Sequence, residues 1–202
     1  MRDERPFNFS AINNDAATQA TGDVLIFLNN DTQIVDPLWL RRLVSYATQD
    51  DVAVVGAKLI YPGGTVQHGG NILRPNGTTR HAHVGLRADD PGYRHLAALP
   101  HEVSGITGAC FAVRASVFRA IGGFDPHLRV AFNDTLVCVE ALSRGYRNIY
   151  IGGAPVAIHY ESESRGRDDT PDKAATYWDE ASYVRAKHPS LFADDPYYNP
   201  NL

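Results

Sequence analysis

The sequence predicts an α/β fold, a mixed sheet flanked by helices, and three observations carry that expectation. A short, nearly continuous apolar run at residues 23–28 (DVLIFL) reads as a strand covered on both faces, and residues 52–60 (VAVVGAKLI) are a second β-rich run. A helix with its own start signal, Pro37 after Asp36, stands between them, which is the alternation that builds a sheet with helical crossovers. Farther along, Pro62-Gly63-Gly64 and Pro75-Asn76-Gly77 interrupt β-rich stretches and predict an antiparallel addition.

The elements follow in order. Residues 9–20 are rich in Ala, Asn and Gln and predict a helix that stops at Gly22. The first strand then ends abruptly in Asn29-Asn30-Asp31-Thr32. The helix over residues 37–48 takes Asp36 as its cap and places Leu40, Leu43, Val44 and Ala47 on one face. Residues 65–73 and 77–84 predict a hairpin, and residues 88–100 a loop. Residues 102–113 are expected to be extended, with breaks at Gly105 and Gly108. Ser116 is the expected cap of a short helix closed by Gly122-Gly123. A helix over residues 133–144 ends at Gly145, two short strands follow at residues 148–151 and 156–159, and Thr170 caps a helix over residues 171–187. A single domain over residues 1–202 is expected, with loosely ordered ends at residues 1–6 and 195–202.

Composition excludes several classes. The chain has 202 residues, 44% of them hydrophobic, enough for one real core. A net charge of -4 gives no broad basic footprint for nucleic acid. The longest apolar run falls far short of the roughly 20 residues that span a bilayer, and no signal-peptide pattern opens the chain. Two cysteines, Cys110 and Cys138, cannot make a disulfide framework. Phosphate-loop, serine-hydrolase-elbow and C-x-x-C motifs do not occur in the sequence.

Four constellations remain. Asn29, Asn30 and Asp31 sit at the carboxyl end of a predicted buried strand, where open α/β sheets bind ligands; their oxygens suit a hard divalent cation that would in turn bind a diphosphate, or else simply bond the turn's own backbone. Asn133-Asp134 opens a helix, so Asp134 reads either as a general base aimed into a cleft or as a cap. His159 leaves a strand for the polar stretch Glu161-Ser162-Glu163-Ser164-Arg165, with His159 a candidate metal ligand and Arg165 a candidate phosphate contact. His81 and His83, two apart, share one face if they lie in a strand, but no third zinc ligand follows at suitable spacing.

In this order, the stretches FNFSAINNDAA, GDVLIFLNNDT, VAVVGAKLIYPGGTVQHGG, GITGACFAVRASVFRAIGGFD, FND, GYRNIYIGGAPVAIHYESESRG and DPYYNPNL resemble the family 2 glycosyltransferases of the GT-A fold, in the rhamnosyltransferase-like branch that builds bacterial surface polysaccharides. The resemblance implies inverting, divalent-metal-dependent transfer of a sugar from a nucleotide-sugar donor (UDP-, dTDP- or GDP-linked) to a hydroxyl of a saccharide or lipid-linked saccharide. LNND matches the D-x-D motif, so Asn29 and Asp31 take its acidic positions, with Asp31 and His159 as ligands of Mn2+ or Mg2+. Asp134 falls where the family places its catalytic base. Thr107, Gly108 and Asn133 fall on the acceptor side, where small residues leave room for a sugar.

Two departures from the family stand out. Where members usually continue FND with a further acidic residue, this chain has Thr135-Leu136, so a carboxylate that would support the base is replaced by Leu136. The family's opening strand–helix–strand unit, which cradles the nucleotide base, is also absent, since the chain starts at FNFSAINN. A sheet cut there exposes a strand edge and leads to an expected homodimer. A cytoplasmic location, with peripheral attachment at the inner membrane where lipid-linked acceptors sit, follows from the reading. The alternative is a non-catalytic glycosyltransferase-like module that binds a glycan or a partner. A metallohydrolase built on His68, His81, His83 and His159 lacks a recognisable ligand motif.

Overall fold

A computed structural model describes residues 4–160 and 170–199 of the chain. Its centre is a five-stranded mixed sheet in the order β1-β9-β3-β10-β8, formed by β1 (Val24–Leu28), β9 (Cys110–Arg114), β3 (Val52–Gly56), β10 (Arg147–Tyr150) and β8 (His101–Glu102). β3 and β10 run parallel, whereas β9 is antiparallel to both of its neighbours. A second sheet, β2-β11-β4-β5, joins β2 (Thr32–Ile34), β11 (Ala157–His159), β4 (Leu59–Ile60) and β5 (Val66–His68). A hairpin of β6 (Asn71–Leu73) and β7 (Thr79–His81) lies beside them.

The period-2 pattern of the strands decides the layers. On β9, Phe111 and Val113 face one core with Leu25 and Phe27 of β1, while Cys110 and Ala112 face the other. The first core is closed by α3 (Ala115–Ala120) and α4 (Asn133–Ser143) and joined by Phe9 of α1 (Phe9–Gln19). The second is closed by Leu43 and Ala47 of α2 (Trp39–Ala47). A third cluster packs Leu73, Leu136 and Val139 against Ala181 and Val184 of α5 (Pro171–Lys187) and Phe192 of α6 (Pro189–Ala193). Gly77 permits this packing: its φ is +90°, and an added Cβ would stand 2.5 Å from the carbonyl oxygen of Ala181.

Several details differ from the sequence expectations. β1 is an edge strand paired only with β9; Leu25 and Phe27 are buried on one face, Val24 and Ile26 pack partly buried against the second core on the other, and Leu28 at its end is 43% exposed. The run over residues 52–60 is two strands in two sheets rather than one. β5 pairs with β4, leaving only β6 and β7 in the hairpin, whose turn is closed by Arg74 and Thr78. Leu40 points to solvent, because the helix begins at Trp39 and only Leu43 and Ala47 turn fully inward. Ser116 lies inside α3, whose cap position is Arg114, and Thr170 makes no side-chain cap bond. Asp195 is held firmly: its carboxylate accepts the Leu73 N–H at 2.7 Å and the Ser104 hydroxyl at 2.6 Å. Among the described residues no helix is long and apolar enough to cross a membrane.

Candidate functional site

The residues singled out in the sequence converge on the segment Thr107-Gly108-Ala109 that leads into β9. As β1 ends, the Asn29 N–H donates to the Ala109 carbonyl at 2.9 Å, and the Thr32 hydroxyl closes the turn on the Asn29 carbonyl at 2.6 Å. Asn30 is exposed at the tip. The chain then enters β2, which pairs with β11 so that Thr32 faces His159, and the Tyr160 N–H donates to the Asp31 carbonyl at 2.9 Å. Strand pairing thus brings together Asp31 and His159, which are 128 positions apart in sequence (159 − 31).

His159 Nε2 lies 3.2 Å from Asp31 Oδ1, and the two side chains are only 12% and 15% exposed. The other ring nitrogen, Nδ1, is 2.8 Å from Gln67 Oε1. An amide oxygen only accepts, so Nδ1 carries a proton, and in the neutral ring the Nε2 lone pair is directed toward the carboxylate. The Gln67 amide nitrogen lies toward the His159 carbonyl at 3.5 Å, which fixes that orientation of the amide. Asp31 Oδ1 is accordingly a buried oxygen without a hydrogen-bond partner. Two electron-pair donors facing each other are what a cation requires, and 3.2 Å suits adjacent ligands of an octahedral ion with bonds of about 2.1 Å. Among the described residues no three His, Cys, Asp or Glu side chains gather to hold a metal, so the chain offers two ligands here.

Asp134 stands on the other side of the 107–109 segment. The residue before α4, Phe132, has a left-handed backbone with φ of 56°, an uncommon conformation for an aromatic residue that sets the direction of the first helical turn. Asn133 spends its amide locally: Nδ2 donates to the Val130 carbonyl and Oδ1 accepts the Asp134 N–H at 2.8 Å. Asp134 Oδ2 accepts the Gly108 N–H at 2.6 Å, and Oδ1 accepts the Thr135 N–H at 2.6 Å. Asp134 is therefore inside the first turn and bonded across to β9's approach, and is not the cap. Loss of hydration raises its carboxyl above the ordinary carboxylate value, against the opposing pull of the Gly108 and Thr135 N–H groups and of nearby His81. A carboxylate raised in this way is a stronger base than an ordinary one.

A buried carboxylate holds the loop that delivers Asp134. Glu180 of α5 accepts the N–H groups of Arg129 at 2.8 Å and Val130 at 3.3 Å through Oε1, and that of Ala131 at 2.7 Å through Oε2. Leu136, in the position of the family's second acidic residue, packs in the cluster with Leu73, Val139 and Ala181. Gly108 needs no special conformation, and a Cβ there would make ordinary contact with Asp134 at 3.4 Å. Thr107 is partly exposed; its N–H reaches His68 Nε2 at 3.4 Å. Arg165 lies outside the described residues.

The histidines regroup. His81 ends β7, but His83 has a left-handed backbone with φ of 65° beyond it, so the two do not share a strand face. His81 instead meets His68, with Nδ1 to Nδ1 at 3.1 Å. Cys110 is buried, and burial alone pushes its thiol up to about 12, so it acts as a small apolar side chain. Gln67 and Glu180 were not foreseen. The one trace of Gln67 in the sequence is a polar Gln-His pair inside an apolar β-run, and Glu180 looks like any helix-surface acid.

Residues 1–122 match the family described as Glycosyl transferase family 2. The chain belongs to this family. The family 2 chain is 40% identical over 202 residues to the O-antigen biosynthesis protein RfbC of Myxococcus xanthus, covering 98% of this chain and 15% of that one. It is 37% identical over 203 residues to the uncharacterized protein y4gI of Sinorhizobium fredii, covering all of this chain and 22% of the relative. An N-acetylglucosaminyl-diphospho-decaprenol L-rhamnosyltransferase of Mycobacterium tuberculosis is 29% identical over 98 residues, 48% of this chain and 32% of that enzyme. The chain thus spans less than a third of the length of these relatives. Among solved structures it superposes on GalNAc-T7 with UDP, GalNAc and Mn2+ at a TM-score of 0.65, with 18% identity over 94% of this chain and 38% of that one. It also superposes on the mannosyltransferase PcManGT from Pyrobaculum calidifontis with GDP-Man and Mn2+ at 0.53, with 14% identity over 96% and 54% of the two chains. The family 2 domain therefore has the GT-A glycosyltransferase fold expected from its motifs.

Proposed function

We propose that this domain transfers a sugar, with inversion at the anomeric carbon, from a UDP-, dTDP- or GDP-linked donor to a hydroxyl of a saccharide or lipid-linked saccharide in polysaccharide biosynthesis. The names of the O-antigen and rhamnosyltransferase relatives support the pathway class, and the fold partners bound to nucleotides with Mn2+ support the donor class. The observation that carries the reading is the facing pair of Asp31 Oδ1 and His159 Nε2, with the carboxylate oxygen buried and lacking a hydrogen-bond partner.

Asp31 and His159 hold a divalent cation, Mn2+ or Mg2+, with Gln67 fixing the imidazole through Nδ1. When bound, that cation supplies positive charge to the diphosphate as it leaves. Asn29 presents its peptide to Ala109 and keeps the turn in register, so Asp31 is aimed by strand pairing and not by its own loop. Asp134 accepts the proton of the acceptor hydroxyl while the hydroxyl oxygen bonds to the anomeric carbon and the bond from that carbon to the phosphate oxygen breaks. The Gly108 N–H keeps Oδ2 in place.

Thermal unfolding with Mn2+ or Mg2+, with and without UDP-, dTDP- or GDP-sugars, tests this reading beside an Asp31→Ala control. Stabilisation that needs metal and nucleotide together, and is lost in the control, is the expected result. Absence of any joint shift would remove the donor site. Joint binding with no donor hydrolysis and no transfer would favour a glycan-binding module instead.

A further inference from the structure

The two arginines of the β6–β7 hairpin take no part in the arrangement around Asp31 and Asp134. Ile72 pairs with Arg80 in the hairpin register, and the Arg74 N–H donates to the Thr78 carbonyl at 2.9 Å, which carries the ladder one residue past β6. Residues two apart share a strand face, so Arg74 and Arg80 project from one side of the hairpin as diagonal neighbours. Neighbours of this kind stand about 7–8 Å apart, within reach of each other's long side chains. Both side chains are exposed, and neither makes a hydrogen bond or an ion pair among the described residues. Two like charges on one face repel where no anion stands between them.

Arg74 and Arg80 line a cleft of about 220 Å³ together with Phe192, Asp194 and Tyr198. A guanidinium binds phosphate oxygens through parallel N–H groups. Asp194 is exposed and pairs with neither arginine, and a carboxylate accepts from sugar hydroxyls. Tyr198, 38% exposed, presents an apolar ring with a polar tip. Asp195 is already spent: besides the Leu73 N–H and the Ser104 hydroxyl it accepts the Tyr197 N–H at 2.8 Å. Two guanidinium groups against one uncommitted carboxylate leave the cleft cationic. β6 links it to the proposed base. Leu73 shares a core cluster with Phe132 and Leu136, on either side of Asp134 in sequence, and the Asn71 N–H donates to the Gly105 carbonyl at 2.8 Å. Gly105 opens the segment whose Gly108 N–H holds Asp134.

We propose that this cleft binds a glycosyl phosphate, the phosphate-bearing end of the acceptor saccharide, with Arg74 and Arg80 on the phosphate and Asp194 and Tyr198 on the sugar. The role of that ligand as acceptor rests on the transfer reading. Recognition of the glycosyl phosphate itself does not depend on it.

Isothermal titration calorimetry of the chain at pH 7 with N-acetylglucosamine 1-phosphate reads the cleft alone when EDTA keeps any cation from linking the probe to Asp31. Arg74→Gln and Arg80→Gln should each weaken binding at least about tenfold, the scale of a lost charge-assisted hydrogen bond. Both variants should melt at or above the wild-type temperature, since each removes a repulsion from an exposed face. No binding by the wild type, or equal affinity in the wild type and the double variant, would overturn the proposal. Inorganic phosphate and N-acetylglucosamine should each bind more weakly than the sugar phosphate. Inorganic phosphate binding as tightly would make this a site for a free anion and refute it. If UDP with Mn2+ loses as much affinity in the two variants as the sugar phosphate does, the arginines serve the donor and the proposal fails. In transfer assays, an alkyl diphosphate of N-acetylglucosamine should have a lower acceptor KM than an alkyl N-acetylglucosaminide, and either variant should shrink that advantage at least tenfold. An advantage of the same size in the variants refutes the acceptor role. If the wild type shows neither transfer nor donor hydrolysis, the transfer reading fails, and the titrations decide glycosyl-phosphate recognition by themselves.

Discussion

The Gly108 N–H donates to Asp134 Oδ2 at 2.6 Å, so the segment entering β9 and the first turn of α4 share one short charge-assisted bond. The same segment accepts the Asn29 N–H through the Ala109 carbonyl. The proposed base and the turn carrying Asp31 are consequently braced against two consecutive residues, Gly108 and Ala109, and a shift of one is transmitted to the other through main chain.

Asp134→Asn should lower kcat by about 100- to 10,000-fold, the range for loss of a general base, with donor binding unchanged. The same variant tests the raised carboxyl. A group whose folded pKa exceeds its unfolded value favours the folded state below the unfolded value, and that contribution is lost as pH rises through the folded value. At pH 7 the ionised carboxylate therefore costs stability, so Asp134→Asn should melt at or above the wild-type temperature. The difference should vanish below the ordinary carboxylate range. Calorimetry from pH 3 to 8 checks both signs.

Gln67→Leu should weaken Mn2+ binding about 10- to 100-fold, because His159 loses the acceptor that keeps its Nδ1 protonated and its Nε2 lone pair facing Asp31. Titration of Mn2+ monitored by electron paramagnetic resonance checks this. His159→Ala should abolish the Mn2+-dependent stabilisation, which at a hundredfold excess over Kd is about 2.7 kcal/mol.

Glu180→Ala should destabilise the fold by about 3 kcal/mol or more, since it leaves the N–H groups of Arg129, Val130 and Ala131 facing a cavity. Glu180→Gln retains the amide oxygen for one side of the loop and should cost less. Both variants loosen the segment that precedes Phe132 and Asp134, so kcat should fall while the donor KM holds. Urea unfolding and initial rates separate the two effects.

Leu136→Asp restores the acidic residue usual in the family, yet it should not raise activity. The side chain would be buried among Leu73, Val139, Ala181 and Val184, where an ionised carboxylate has no partner. Its folded pKa would be raised, so the loss of stability should grow with pH from 3 to 7. Urea midpoints at several pH values measure this.

The elements with strong local signals were legible in the sequence. α1, α4 and α5 lie within one residue of their expected bounds, because Asn8, Gly145, Pro171 and Pro189 punctuate them. The order of LNND, FND and the late His159 was likewise sufficient for the family. Strand partnership was less legible. VAVVGAKLI divides between two sheets at Ala57 and Lys58, and nothing in its composition distinguishes Gly56 pairing with Phe111 from Leu59 pairing with His68.

What the sequence determined by itself was the kind of chain and the identity of its chemistry: α/β periodicity, an Asn-Asn-Asp turn after an apolar strand, and a carboxylate at a helix start. Those properties depend on residues close together in the chain. Tertiary structure decided how each reactive atom is held. Gln67 holds the Nδ1 side of the His159 ring, and Glu180 ties down the loop before Asp134. These partners are separated by between 49 and 92 residues, and a hydrogen bond is sensitive to tenths of an ångström. Only the packed sheets and α5 set such distances, so the proton positions that govern the site are properties of the fold.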